Sequence, residues 1–317
     1  MAVKKILSID GGGIRGVIPA MVLVEIEKRA GKRIGELFHI IAGTSTGGIL
    51  ALGFGVKAND GRLKYTAEDL TDLYAKRGGE IFDRSFWRGV SSAGGLLDEK
   101  YGHQALVKLL KEYMGTRKFN EAFLPTLISS YDIERRKPYF FKSWNDSAPQ
   151  WPMWQVGRAT SAAPTFFELT NPINFRAGIE GHALVDGGVF VNNPALCAYA
   201  EARKIFPDAD EIFVVSLGTG ELTREIPYRD AKDWGLAGWA LPILSVVFDG
   251  VSDAVDYQLQ QILEDDFQRF QCKLKIASDD LDNASAANIE ALKMQARNLI
   301  EARSDDLDAV CRRLLED

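Results

Sequence analysis

"KKILSIDGGGIRG", residues 4–16, decides how this chain is read. Lys5 to Asp10 is a short run of apolar and β-branched residues, the length of a buried strand. Gly11, Gly12 and Gly13 follow at once and leave main-chain N–H groups that no side chain covers. From Val17 onward, "VIPAMVLVEIEKRAG" has the pattern of a helix that ends at Gly31. A strand, bare amides and a helix N-terminus together make a place for negative charge. Two anions suit it. Gly11, Gly13 and Gly16 spell G-x-G-x-x-G, which points to a dinucleotide pyrophosphate. The oxyanion of an acyl-transfer reaction needs backbone donors of the same kind. A tight turn without a ligand is the third reading, and the glycines alone do not choose.

Composition narrows the field. The 317 residues are 46% hydrophobic and 26% charged, an ordinary globular balance. A net charge of −6 supplies no basic surplus for neutralising phosphates, which argues against nucleic acid as a partner. Clusters such as "ERRKP" (134–138) read as solvated faces or a local anion contact. Cys197, Cys272 and Cys311 are too scattered for a disulfide framework or a metal motif. No signal peptide or membrane-length apolar run is legible, so the expected location is cytoplasmic. His39, His103 and His182 are the only histidines, which restricts zinc sites and Ser-His-Asp triads alike.

Strand-like and helix-like segments alternate. Strand candidates are "FHIIAG" (38–43), "LPTLISSYDI" (124–133), "PYFFKSW" (138–144), "HALVDGG" (182–188) and "EIFVVSLGTG" (211–220). The apolar stretch 47–56 and residues 66–82, 103–115 and 193–206 read as helices. The alternation predicts an α/β fold with a mostly parallel sheet covered on both faces, its ligands at the carboxyl ends of the strands. After residue 222 the pattern turns helical and densely charged, through "SDAVDYQLQQILEDDFQRF" and residues 288–317. We read one domain over 1–317: an α/β core at 1–222 and a helical C-terminal part at 223–317.

"FHIIAGTSTGGILAL" places Gly43-Thr44-Ser45-Thr46-Gly47, a G-x-S-x-G match, between a strand and a helix. The glycines let the chain turn sharply and present the Ser45 hydroxyl, with the Thr46 N–H turned toward any oxyanion formed there. The rival reading is a helix cap. The same stretch weakens the dinucleotide reading, because the second strand ends in Ala42-Gly43-Thr44 with no acid for a ribose, and Glu36 precedes the strand.

A serine needs a base. His39 sits six residues upstream of Ser45, roughly 20 Å away at ~3.3 Å per residue of strand. His103 falls at an expected helix start and His182 precedes its strand. Asp186 is better placed, at a strand end beside Gly187 and Gly188. A dry site would raise its pKa toward a useful range; the rival reading is a turn in which Asp bonds its own backbone. Asn192 and Asn193, before Pro194, are expected to cap the next helix.

Taken together, "DGGGIRG" (10–16), "GTSTGG" (43–48), "DGG" (186–188) with "NNP", and "SLGTG" (216–220) resemble the patatin-like phospholipases. "SSYDIERRKPYFF" (129–141), "ATSAAPTFF" (159–167) and "DGVSDAVDYQL" (249–259) are similar as well. The resemblance implies a three-layer α/β/α fold with a helical C-terminal cap and a Ser-Asp dyad acting on lipid acyl esters without metal or organic cofactor. Ser45 becomes the nucleophile and Asp186 the base. The N–H groups of Gly11, Gly12, Gly13 and Thr46 become the oxyanion hole, with Arg15 orienting the loop or meeting a phosphate. His39 stands where many members carry an acid, which reads as packing or a local pH sensitivity.

The implied partner is a membrane phospholipid met at the membrane surface. "DWGLAGWALPILSVVFDG" (233–250), with Trp234 and Trp239, reads as a membrane contact, a lid, or a helix packed over the core. Some bacterial members are effectors switched on by cyclic nucleotides in antiviral defence, so the resemblance admits a cyclic-dinucleotide activator. No nucleotide pocket is legible. A non-catalytic lipid-binding or storage protein is the alternative from another class.

Overall fold

The glycine run sits where the opening strand leaves the centre of a seven-stranded sheet. The structure, a computed structural model, describes residues 2–81, 99–163, 182–223, 225–239 and 242–316. The strands are β1 (Val3–Ile9), β2 (Ile40–Gly43), β3 (Thr126–Asp132), β4 (Lys137–Lys142), β5 (Leu184–Asp186), β6 (Glu211–Leu217) and β7 (Phe267–Phe270). Their order is β4-β3-β2-β1-β6-β7, with β5 paired to β3. β1, β2, β3, β6 and β7 run parallel; β4 and β5 are antiparallel to β3.

Alternation along the strands builds the layers. Leu7 and Ile9 of β1, Ile41 of β2 and Val215 and Leu217 of β6 enter one buried cluster. Ile6, Ile40, Ala42, Ile212 and Val214 enter the other. The first face is covered by α1 (Val17–Ala30), α2 (Thr46–Gly55), α3 (Ala67–Ile81), α4 (Glu99–Met114) and α5 (Met153–Thr160). The second is covered by α6 (Ala195–Ile205) and α7 (Pro242–Leu263). α8 (Ala286–Ala302) and α9 (Ser304–Leu315) complete the first layer beside α1. Each fully buried Ile or Leu contributes ~1.5–3 kcal/mol, which makes both faces of β1 strongly determined. Gly31 ends α1 as expected, at φ 66, its N–H donating to Glu27 O.

One sequence expectation needs correcting. The stretch through "EDDFQRF" carries apolar residues at helical spacing, yet its end is β7, parallel to β6. Glu264, Asp265 and Asp266 follow the end of α7, where the helix dipole disfavours negative charge, and Glu264 takes a positive φ of 48° that stops the helix. The C-terminal part is therefore not helical throughout: it adds a strand to the central sheet. Within 233–250 the residues from Pro242 belong to α7, whose Phe248 packs at Gly188; residues 240–241 lie outside the described residues, as do residue 82 and positions 164–167 of "ATSAAPTFF". Among the described residues, no helix is long and apolar enough to cross a membrane.

Candidate active site

Strand β3 brings the two chemistry-bearing residues together. On one of its edges, β2 runs parallel and ends with Gly43 opposite Ile128. Further along, β5 runs antiparallel and ends with Asp186 opposite Ser130. The other edge is occupied by β4. The two strands thus point their carboxyl ends at each other, two residues apart along β3, and the chain leaving Gly43 meets Asp186 at Ser45.

Ser45 sits on the turn into α2 with φ 54 and ψ −120, a conformation that non-glycine residues seldom adopt. Packing holds it there. The Ser45 N–H donates to Thr160 Oγ1 at 2.9 Å, and Thr160 Oγ1 in turn donates to Ser129 O at 2.7 Å. Thr44 Oγ1 donates to Val191 O at 2.8 Å and lies 2.7 Å from Ser129 Oγ. The flanking glycines are sterically required: a Cβ on Gly43 would stand 2.2 Å from Gly47 O, and one on Gly47 2.1 Å from Ile9 O. Ser45 remains partly exposed at the end of this scaffold.

Asp186 is 2% exposed, accepts the Gly188 N–H at 2.8 Å, and stands close enough to the Ser45 hydroxyl for that group to lower its pKa. The turn expected of an Asp before two glycines is therefore present, alongside the contact to Ser45. Burial pushes the Asp186 pKa up to about 7, and the Ser45 hydroxyl and the Gly188 N–H hold it from rising further. A carboxylate that takes up and gives back a proton near neutrality suits a general base.

The glycine loop lies against the same serine: a Cβ on Gly11 would stand 3.3 Å from Ser45 Cβ. Its amides divide. Gly11 N–H donates to Asn192 O at 3.1 Å, so that donor is not available to an oxyanion, contrary to the sequence expectation. The N–H groups of Gly12, Gly13 and Thr46 meet no acceptor among the described residues. Arg15 is buried and turned away from such a role: its Nε donates to Gly12 O and its Nη1 to Gly220 O, each at 3.3 Å. It clamps the loop by its carbonyls. Thr219 Oγ1 adds a bond to Gly11 O at 2.7 Å.

The histidines stand elsewhere. His39 precedes β2; its Nδ1 accepts the Lys5 N–H at 3.1 Å, and burial together with Lys4 and Lys5 lowers its pKa to about 4. That favours the packing reading over a pH sensitivity near neutrality. His182 Nδ1 lies 2.6 Å from Asp132 Oδ2 and its ring packs on Tyr139. His103 falls inside α4 rather than at its start.

Of the two asparagines expected to cap α6, Asn193 Oδ1 accepts the Ala195 N–H at 3.0 Å, whereas Pro194 occupies the cap position and Asn192 Nδ2 donates to Ser252 Oγ. Two residues escaped the sequence reading. Arg269 on β7 holds Asp10 through two bonds, and Asp256 on α7 pairs with Arg269. Both lie in the segment read as a charged helical tail, where a half-buried Arg and a half-buried Asp look no different from solvated ones.

A family model described as patatin-like phospholipase matches residues 7–199. Patatin-like protein 4 of Arabidopsis thaliana is 30% identical, over 93% of this chain and 83% of that protein. Patatin-17 of Solanum cardiophyllum is 30% identical over the same shares of the two chains. With the three-layer fold and the strand-end geometry described above, these matches place the chain: it belongs to the patatin-like phospholipase family, serine hydrolases that act on lipid ester bonds.

Proposed function

We propose that this protein hydrolyses fatty-acyl esters of membrane phospholipids at the membrane surface, with Ser45 as nucleophile and Asp186 as base. The observation that carries the reading is a buried carboxylate beside the Ser45 hydroxyl, at the converging ends of β2 and β5, with a pKa pushed up to about 7. Ionised Asp186 takes the Ser45 proton as Oγ attacks the ester carbonyl carbon. The carbonyl oxygen gains the negative charge and the N–H groups of Gly12, Gly13 and Thr46 receive it; removing one such donor typically costs ~10²–10³ in rate. The tetrahedral intermediate collapses, the C–O bond to the alcohol breaks, and protonated Asp186 supplies the leaving oxygen's proton. Water then gives its proton to Asp186, attacks the acyl-enzyme and releases the fatty acid, and the proton returns to Ser45.

The test is fatty-acid release from mixed phospholipid vesicles and from a soluble p-nitrophenyl ester. Wild type, Ser45→Ala and Asp186→Ala are compared, and a panel of cyclic dinucleotides examines the activator class implied by the resemblance. Turnover by wild type and none by either folded variant supports the reading. Lipid binding without turnover in wild type favours the lipid-binding alternative.

A further inference from the structure

The guanidinium of Arg269 joins the two loops that form the site. On one side it grips Asp10, the residue immediately before Gly11: Nη1 donates to Oδ1 at 3.0 Å and Nη2 to Oδ2 at 2.6 Å. Nη1 also donates to Ser216 Oγ at 2.8 Å, on the strand beside β1. On the other side Nε lies 2.9 Å from Asp256 Oδ2. Asp256 Oδ1 accepts from Asn193 Nδ2 at 2.7 Å. Asn193 belongs to the loop that leaves Asp186, and Asn192 O beside it holds the Gly11 N–H. A closed circuit results: Asp10, Arg269, Asp256, the Asn192–Asn193 loop, and back to the glycines.

We propose that Arg269 is a positioning residue for ester hydrolysis, fixing the N–H groups of Gly12 and Gly13 against Ser45 by holding Asp10 and Asp256 at once. This rests on the Ser45–Asp186 reading. The chemistry of the circuit is orientational. A two-point Arg–carboxylate fork sets the plane of Asp10, while Nε meets Asp256 as a charge pair without hydrogen-bond alignment. Buried ion pairs often add little net stability over apolar residues of similar volume, whereas their directional bonds specify geometry. A lysine presents one point charge and cannot reproduce the fork to Asp10 together with the bond to Ser216.

The experiment measures kcat per active site on a soluble p-nitrophenyl ester for the full-length wild type, Arg269→Lys, Arg269→Met and Asp256→Asn. Active sites are counted by prolonged fluorophosphonate labelling, so unfolded protein does not enter the rate. Affinity for a trifluoromethyl ketone, whose adduct with Ser45 carries an oxyanion, is measured in parallel. The expected result is a fall in kcat of ~10–100-fold for Arg269→Lys, since displacing donors by about 1 Å costs rate on that scale. KM stays within about twofold and ketone affinity falls with kcat. Asp256→Asn loses less, and the Arg269→Lys/Asp256→Asn pair loses less than the product of the two single effects. If Arg269→Met does not fold, the other variants carry the comparison. Per-site kcat and ketone affinity within about twofold of wild type, with only the melting temperature lowered, would overturn the proposal and leave a structural brace. Activity surviving in Ser45→Ala under the same assay would instead sink the underlying dyad reading.

Discussion

Asp186 stands beside the Ser45 hydroxyl although their strands, β5 and β2, are not paired with each other. The contact exists because both strands share one edge of β3 from opposite directions. Their ends converge where Ile128 gives way to Ser130. Ser45 on its strained elbow and Asp186 on its short strand are thereby fixed by sheet register.

The pH dependence follows from the base. Asp186 must be ionised to accept the Ser45 proton, and its pKa is pushed up to about 7. On a soluble ester, kcat/KM should fall about tenfold per pH unit below that value and level off above it. His39, lowered to about 4, contributes nothing in this range. A profile flat from pH 5 to 8 would contradict the assignment of the base.

Stability responds to the same group with a definite sign. The folded pKa of Asp186 lies above the ordinary carboxylate value of ~3.9, so the native state holds an extra proton between roughly pH 4 and 7. The contribution of Asp186 to stability is present below that window and is lost as pH rises through it. Asp186→Asn removes the ionisation, so its melting temperature should gain on wild type between pH 5 and pH 8, while activity falls ~10²–10⁴-fold. Thermal melts at the two pH values check the sign.

Thr160 supports the elbow through both faces of its hydroxyl. Thr160→Val leaves the Ser45 N–H and Ser129 O without partners, at a cost of ~1–3 kcal/mol. It should also lower kcat, by about tenfold as the turn relaxes. Thr160→Ser keeps the hydroxyl and should stay near wild type in both. Chemical denaturation and steady-state kinetics on the pair separate the hydroxyl from the methyl.

Gly12 offers a steric test of the donor loop. A Cβ there would stand 2.2 Å from Thr219 Oγ1 and 2.5 Å from Thr219 Cβ, so Gly12→Ala must displace the loop. Overpacking of this kind costs ~1–3 kcal/mol. The displaced donors should lower kcat ~10²-fold or more. A folded Gly12→Ala enzyme with wild-type kcat would remove Gly12 from the reaction.

Much of this geometry was legible in the sequence because it is local. The Ser45 elbow, the Asp186 strand end and the loop before α1 each announce themselves by a short apolar run and small residues at the turn. What escaped depends on long-range packing. The Gly11 amide looks as free as its neighbours until Asn192, 181 positions later, is folded against it. β7 was hidden because Phe267 and Phe270 keep helical spacing, and its strand character comes from pairing with β6. Arg269 was hidden with it: only the closed sheet brings it to Asp10.

The most direct test of the central claim is intact-protein mass spectrometry with peptide mapping, on enzyme acid-quenched during turnover of a p-nitrophenyl acyl ester. The account predicts one acyl group added to wild type, located on Ser45, and none on Ser45→Ala. An acyl group on another residue, or ester turnover by Ser45→Ala at the wild-type rate, would contradict it.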